Sequence, residues 1–271
     1  MIAVHSFFKN TTDIKSNITY ISKQAELSCK FLKKHKFTVI LYTDEISINY
    51  FRHIKYDNIV TLDISEIQPN IPFDFWSASK LIVCSTIKEP YFHVDTDLFL
   101  VENCLDNYLD KDFFVFHEES WIKQKSYTEN KDLIYNHFNH INDNSFVYNN
   151  AIFGGKNHML INSSINFLIN SIIQKNEIID QILFDKKPRR ENDGAKSVFI
   201  EQYLFNNLVK QNLKIDHIPL ILKESSECKN SRDIYALLKK YHIIHLWIQK
   251  YSIDHVIGLS NFIDMLDKKY F

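Results

Sequence analysis

Residues 2–8 form a short apolar run with no helical period and read as a buried first strand. From Ile18 the period changes. Ile21, Ala25, Cys29 and Leu32 recur at helical spacing, and the pattern stops at Lys33-Lys34-His35, where cations suit the negative end of a helix dipole. Residues 38–42 return to a strand pattern that ends at Thr43-Asp44, and a short segment over 46–54 leads to another β-rich run at 59–62. Strand, helix and strand in alternation predict an α/β protein with a mostly parallel sheet and crossover helices.

Residues 76–87 are again apolar at helical spacing (Trp76, Leu81, Val83, Ile87), followed by a strand over 91–94. That strand runs into Asp95-Thr96-Asp97 before Leu98-Phe99-Leu100 resumes the apolar pattern. Further on, the spacing predicts a strand at 113–116, a polar helix or long loop over 121–138, and a strand over 146–153 ending at Gly154-Gly155. Helices are expected over 158–174 and 197–210, and a last strand over 243–247. Residues 184–196, with Lys186-Lys187-Pro188-Arg189-Arg190, read as an exposed basic loop. With no repeat, low-complexity tract or linker, the 271 residues are expected to form one domain.

Composition narrows the function classes. Lys and Arg total 32 against 33 Asp and Glu, so the chain is no polycation and no nucleic-acid partner is expected. Only 4 of 271 residues are Gly, and neither a G-x-G-x-x-G turn nor a Walker A loop occurs, which sets NAD-linked and P-loop chemistry aside. Cys29, Cys84, Cys104 and Cys228 are scattered without a C-x-x-C pair, so neither structural zinc nor a disulfide framework is expected; reduced thiols in a cytoplasmic protein are the simpler reading. The N-terminus enters a strand without a basic leader, and no run approaches the roughly 18 apolar residues that a membrane span needs. The expectation is a soluble protein, peripheral at most at the inner face of a membrane through the basic loop.

Asp95-Thr96-Asp97 is the sharpest chemical feature. Open α/β sheets bind ligands beyond the carboxyl ends of their strands, and two carboxylates there suit a hard divalent cation, Mn²⁺ or Mg²⁺, with positions left for phosphate oxygens. A solvated turn is the bland alternative, but Tyr91-Phe92-His93-Val94 before and Leu98-Phe99-Leu100 after are costly surroundings for carboxylates without a partner. Asn149-Asn150-Ala151-Ile152-Phe153-Gly154-Gly155 places two of the four Gly side by side after an apolar strand, which suggests a backbone approached closely by a ligand or held at positive φ; an ordinary turn is the alternative. His93 alternates with Phe92 and Val94 and is expected to be buried and hydrogen-bonded. On a strand over 243–247, His245 and Trp247 share a face and His242 lies on the other.

The segments Phe75-Trp76-Ser77-Ala78-Ser79-Lys80 and Pro90-Tyr91-Phe92-His93-Val94-Asp95-Thr96-Asp97-Leu98-Phe99 resemble the D-x-D sugar-binding region of glycosyltransferases with the GT-A fold, closest to the bacterial and toxin-like branch. Thr38-Val39-Ile40-Leu41-Tyr42-Thr43-Asp44 resembles the second strand of such enzymes. The resemblance implies a Rossmann-like, mixed but mostly parallel sheet flanked by helices, with residues 1–100 as the nucleotide-sugar half and 101–271 as the acceptor half. It implies a nucleotide-sugar donor, with UDP as its nucleotide, a glycan or other hydroxyl acceptor, and Mn²⁺ or Mg²⁺. Thr43, Asp44, Trp76, Lys80, Asp95, Asn150, Gly154 and Gly155 would face the donor, and Asp95, Asp97 and His245 would hold the metal. Glu201 and Gln202, in a run like the acidic-Gln helix start of these enzymes, would act on the donor sugar or, in the case of Glu201, as a general base. Trp247 would cover the leaving diphosphate. The chain departs from its relatives in carrying Glu89-Pro90 where many have Gly-Gly, and Lys80 where many have Arg, which keeps the charge but loses the bidentate fork. A catalytically silent nucleotide-sugar-binding protein, and a nucleotidyltransferase or phosphohydrolase on a similar sheet, are the rival readings.

Overall fold

The computed structural model describes residues 1–8, 18–67, 70, 77–118, 131–141, 147–184, 199–218, 243–245 and 253–271. Its centre is a seven-stranded sheet built from β1 (Ile2–Phe7), β2 (Thr38–Thr43), β3 (Asn58–Thr61), β4 (Tyr91–Val94), β6 (Phe113–Glu118), β7 (Tyr148–Gly155) and β8 (Ile215–His217) in the order β3-β2-β1-β4-β7-β6-β8. The pairs β1–β2, β2–β3, β1–β4 and β6–β8 are parallel, while β7 runs antiparallel to both its neighbours. The expected mixed, mostly parallel α/β architecture is therefore present. After β1 the chain winds outward through β2 and β3, then returns to β4 on the other side of β1. The strand order thus reverses between β1 and β4, and the carboxyl end of that gap is where open α/β sheets hold their ligands.

Strand alternation sorts the core into two layers. Ile2 and Val4 of β1 pack on one face with α3 (Ala78–Thr86) and α5 (His158–Phe184), while Ala3 and Phe7 pack on the other with α1 (Ile18–Lys34). α1 ends at its basic last turn, as its sequence predicts, and closes in a Schellman motif: Phe37 N–H donates to the Leu32 carbonyl at 3.1 Å and Lys36 N–H to that of Lys33 at 2.9 Å. The left-handed position is filled not by Gly but by Lys36, at φ 66°.

Several boundaries differ from the periodicity reading. The helix expected to stop at 174 runs on to Phe184, but Lys175 breaks helical geometry there (φ −118°, ψ 20°), so the apolar period changes at a kink rather than an end. The helix expected over 197–210 is a π-helical turn, Phe199–Leu204, followed by α6 (Phe205–Val209). Within 121–138, a helix covers Lys131–His137 (α4). A short helix, α2 (Ile64–Ile67), precedes α3.

β5 (Leu98–Leu100) leaves the main sheet and pairs antiparallel with β9 (Ile243–His245), Leu98 facing His245. A final helix, α7 (Ile253–Tyr270), has no counterpart in the sequence reading. It covers α1 and β5 by packing Phe262, Ile263 and Leu266 against Tyr20, Leu27, Phe31 and Phe99, with ion pairs Lys23–Asp264 and Lys30–Asp267 at the margin. Among the described residues no helix is long and apolar enough to cross a membrane. Cys29, Cys84 and Cys104 are free thiols; Cys228 and the basic loop at 186–190 lie outside the described residues.

Candidate active site

The Asp95-Thr96-Asp97 turn sits at the carboxyl end of β4, beside the reversal between β1 and β4. Its main chain is pinned on both sides: Asp95 N–H donates to the Ala151 carbonyl at 2.8 Å, and Leu98 N–H donates back to the Asp95 carbonyl at 3.0 Å. Because β4 alternates, His93 and Asp95 fall on the Tyr91 face, toward α3.

α3 brings Lys80 to that face. Its ammonium, 5 % exposed, donates to Asp95 Oδ1 at 2.7 Å, to Glu201 Oε1 at 2.5 Å and to the Asn150 carbonyl at 3.1 Å. An ammonium has three N–H donors, and all three are engaged within the protein. In this geometry Lys80 holds two site carboxylates in place. Burial opposes the charge on Lys80, but Asp95 and Glu201 outweigh it and raise its pKa above the usual lysine value.

Glu201 is 3 % exposed, not the solvated helix residue of the alternative reading. Burial lifts its carboxyl, Lys80 opposes the shift, Asp95 adds to it, and the result is a group pushed up to about 7. A hydrogen bond to the Ser77 side chain further favours its ionised form. The π-helical turn also presents its main chain: Asn150 Nδ2 donates to the Glu201 carbonyl at 2.8 Å, and Asn206 Nδ2 donates to Asn150 Oδ1 at 2.9 Å. Gln202 is half-buried, and its Oε1 has no hydrogen-bond donor among the described residues. His93 is buried as expected, its Nε2 2.8 Å from Ser6 Oγ. Burial, with Lys80 and His5 nearby, holds its imidazole well below the usual histidine value, so its 3.7 Å approach to Asp95 Oδ1 is a contact of a neutral ring and not an ion pair.

Lys80, Asp95, Asn150 and Glu201, four residues read from four separate segments, thus meet at the end of β4. Asp97, 6 % exposed, is close enough for its charge to act on His5 and Tyr20 across the turn. β9 sets the His245 main chain opposite Leu98, one residue beyond Asp97. Thr43 and Asp44 lie at the carboxyl end of β2 with their side chains engaged internally: Thr43 Oγ1 donates to the Phe7 carbonyl at 2.7 Å, and the Asp44 carboxylate accepts from Ser47 N–H at 2.6 Å and Ser47 Oγ at 3.1 Å. Trp76 and Trp247 lie outside the described residues.

Gly154 and Gly155 are approached closely, but by the protein's own backbone. A Cβ on Gly154 would stand 2.3 Å from the Tyr91 carbonyl oxygen, and one on Gly155 would stand 2.1 Å from that of Asp112. Both glycines also have positive φ, 159° and 157°, the other expectation for this pair.

The two carboxylates of the turn are of a type that suits a hard divalent cation. Two carboxylates leave one turn, and the strand facing that turn carries a histidine. Among the described residues no three His, Cys, Asp or Glu side chains already form a closed cluster. Sequence reasoning missed Ser77, Asn206 and the buried pair His5 and Ser28 beneath the turn; no spacing marks them, since each gains its role from a residue distant in sequence.

No curated protein matches the chain. Among solved structures, the fold resembles the galactosyltransferase LgtC, crystallised with donor and acceptor sugar analogs, at 12 % identity and a TM-score of 0.53 over 99 % of this chain and 96 % of that one. Mouse xyloside xylosyltransferase 1 in its apo form aligns at 10 % identity and a TM-score of 0.47 over 93 % and 99 %. The first likeness shows that this chain has the GT-A fold expected from its sequence. Residues 1–270 match the model of DUF6734, a family of unknown function, and the chain belongs to that family.

Proposed function

We propose that the protein is a metal-dependent glycosyltransferase that moves a sugar from a nucleoside-diphosphate donor, a UDP-sugar, to a hydroxyl of a glycan or other acceptor. The observation that carries this reading is the meeting of Asp95 and Glu201 on the Lys80 ammonium at the strand-order reversal, the position where an α/β sheet receives a nucleotide. The fold shared with LgtC supports it.

Asp95, Asp97 and His245 would hold Mn²⁺ or Mg²⁺, which when bound would offset the charge that develops on the diphosphate leaving group. The protein's own groups do the rest. Lys80 orients both carboxylates and keeps their repulsion from opening the site. Glu201, with a pKa near neutrality, can accept or donate a hydrogen bond at a donor-sugar hydroxyl and serves as general base if the reaction inverts. Gln202 Oε1, a buried acceptor lacking a protein donor among the described residues, is suited to a sugar hydroxyl, because leaving such an acceptor unmet costs about 1–3 kcal/mol. Asn150 braces Glu201 from below. Trp247, by the resemblance in sequence, would cover the leaving diphosphate.

The test is a thermal-shift screen of UDP-, GDP- and CMP-sugars with and without Mn²⁺, followed by product analysis. A donor at 100 times its Kd adds about 2.7 kcal/mol of stability. Mn²⁺-dependent stabilisation by a UDP-sugar, lost in Asp97→Asn, supports the reading. Stabilisation that is the same without metal, or unchanged in Asp97→Asn, removes it, and release of a phosphoryl product instead of a glycoside favours the phosphohydrolase reading.

A further inference from the structure

The face of β1 opposite Lys80 carries a second polar device. His5 follows Ala3 and precedes Phe7 on the side covered by α1, so an imidazole enters an apolar layer where its two nitrogens have to be satisfied from within. Ser28 of α1 donates its single hydroxyl hydrogen to the Leu98 carbonyl at 2.7 Å. The Ser28 oxygen is then the acceptor for His5 Nε2–H, 3.1 Å away. One neutral tautomer follows, in which Nδ1 keeps its lone pair and accepts the Tyr56 hydroxyl hydrogen at 2.9 Å. The bonds run in one direction, from Tyr56 through His5 and Ser28 to Leu98.

Leu98 is the residue at which the Asp95–Asp97 turn becomes β5. Its N–H is committed to the Asp95 carbonyl, so Leu98 and His245 form a non-hydrogen-bonded pair, the closer of the two pair types in an antiparallel ladder. α1 continues the polar stripe toward Asp97 with Gln24 and Tyr20, one and two turns before Ser28 and both buried, Gln24 Nε2 donating to Tyr20 Oη at 3.2 Å. The relay therefore ends on the carbonyl of Leu98, the residue whose N–H closes the far side of the carboxylate turn, as the Ala151 carbonyl fixes the near side.

We propose that His5 is a positioning residue for the Asp95–Leu98 turn, acting through Ser28 on the Leu98 carbonyl, with Tyr56 holding its ring in the required tautomer. The consequence for ligand binding rests on the proposed function: a turn already ordered spares the donor complex the cost of ordering it. The positioning itself does not depend on which ligand the turn receives.

The experiment combines three readouts on the full chain. Nitrogen-15 NMR of the wild type should show the His5 proton on Nε2 and none on Nδ1; a proton on Nδ1 overturns the proposal without any variant. Amide exchange at Leu98 should quicken at least about tenfold in Ser28→Ala and by a few-fold in the milder Tyr56→Phe, while Val60 in the distant β3 keeps its wild-type rate. Exchange at Leu98 that is unchanged in both variants, or quickened equally at Val60, makes His5 an ordinary core residue. Mn²⁺ alone, followed by electron paramagnetic resonance, should bind about tenfold more weakly to Ser28→Ala. A wild type that binds neither Mn²⁺ nor a UDP-sugar overturns the glycosyltransferase reading instead, while tautomer and exchange still decide the relay.

Discussion

The Lys80 ammonium lies 2.5 Å from Glu201 Oε1, a contact across 121 positions of sequence that ties α3 to the π-helical turn. Asp95 stands 2.7 Å away on the same ammonium, so one cation serves two carboxylates inside the fold. Such a cluster stabilises little by existing, because desolvation offsets much of the attraction, but it is costly to break. Lys80→Met should lower unfolding free energy by about 3–5 kcal/mol, with both carboxylates left uncompensated. Urea denaturation at neutral pH measures it, and a loss below about 1 kcal/mol would mean that water already reaches the cluster.

Glu201 makes stability depend on pH. Its folded pKa, near 7, lies above the ordinary value of 4.5, so between those values the folded state binds more protons than the unfolded one. Its contribution is full below the unfolded value and is lost as pH rises through about 7. Glu201→Gln, neutral in both states, should remove that falling slope. Chemical denaturation of both proteins from pH 4.5 to 8 tests this; parallel curves would place the Glu201 pKa at an ordinary value.

Gly154→Ala brings a Cβ within 2.4 Å of Phe92 Cα and closer still to the Tyr91 carbonyl oxygen, both backbone atoms of β4. Neither can move without shifting the strand that carries Asp95. The expected cost is about 3 kcal/mol or more, read by thermal or urea unfolding, with weakened Mn²⁺ binding in whatever folded fraction remains.

Lys36→Gly should do the opposite. Lys36 holds the left-handed position of the α1 Schellman motif at φ 66°, where a Cβ is penalised. The greater freedom of Gly in the unfolded chain offsets part of the gain, leaving about 0.5–1 kcal/mol of added stability in the urea midpoint.

For the metal site, His245→Ala should weaken Mn²⁺ binding at least about tenfold, the usual scale for losing one ligand or its support. Trp247→Phe should slow turnover with little effect on metal affinity. Calorimetric titration with MnCl₂ separates the two, and an His245→Ala protein that binds Mn²⁺ as tightly as wild type would remove His245 from the ligand set.

Local pattern determined much of this protein. Short apolar runs mark β1 and β4, which are buried on both faces, and the helical period marks α1, which buries one, while the basic end of α1 and the carboxylates at the end of β4 are readable one residue at a time. What periodicity carries is which side of an element is buried, not what it is buried against. Lys80 read as a candidate ligand contact because its partners, Asp95, Asn150 and Glu201, come from three other segments and converge only once α3, β7 and the π-helical turn pack on one sheet face. The glycines at 154 and 155 pointed to a close approach, yet only strand order reveals that β4 and the chain at Asp112 make it. α7 went unread because its role depends on α1 and β5, which present Phe31 and Phe99 to it, and His5 looked like any residue of an apolar strand until Ser28 and Tyr56 met its ring. Sequence determines which groups must be buried; the tertiary structure decides which of them are buried together, because that depends on contacts between segments far apart in the chain.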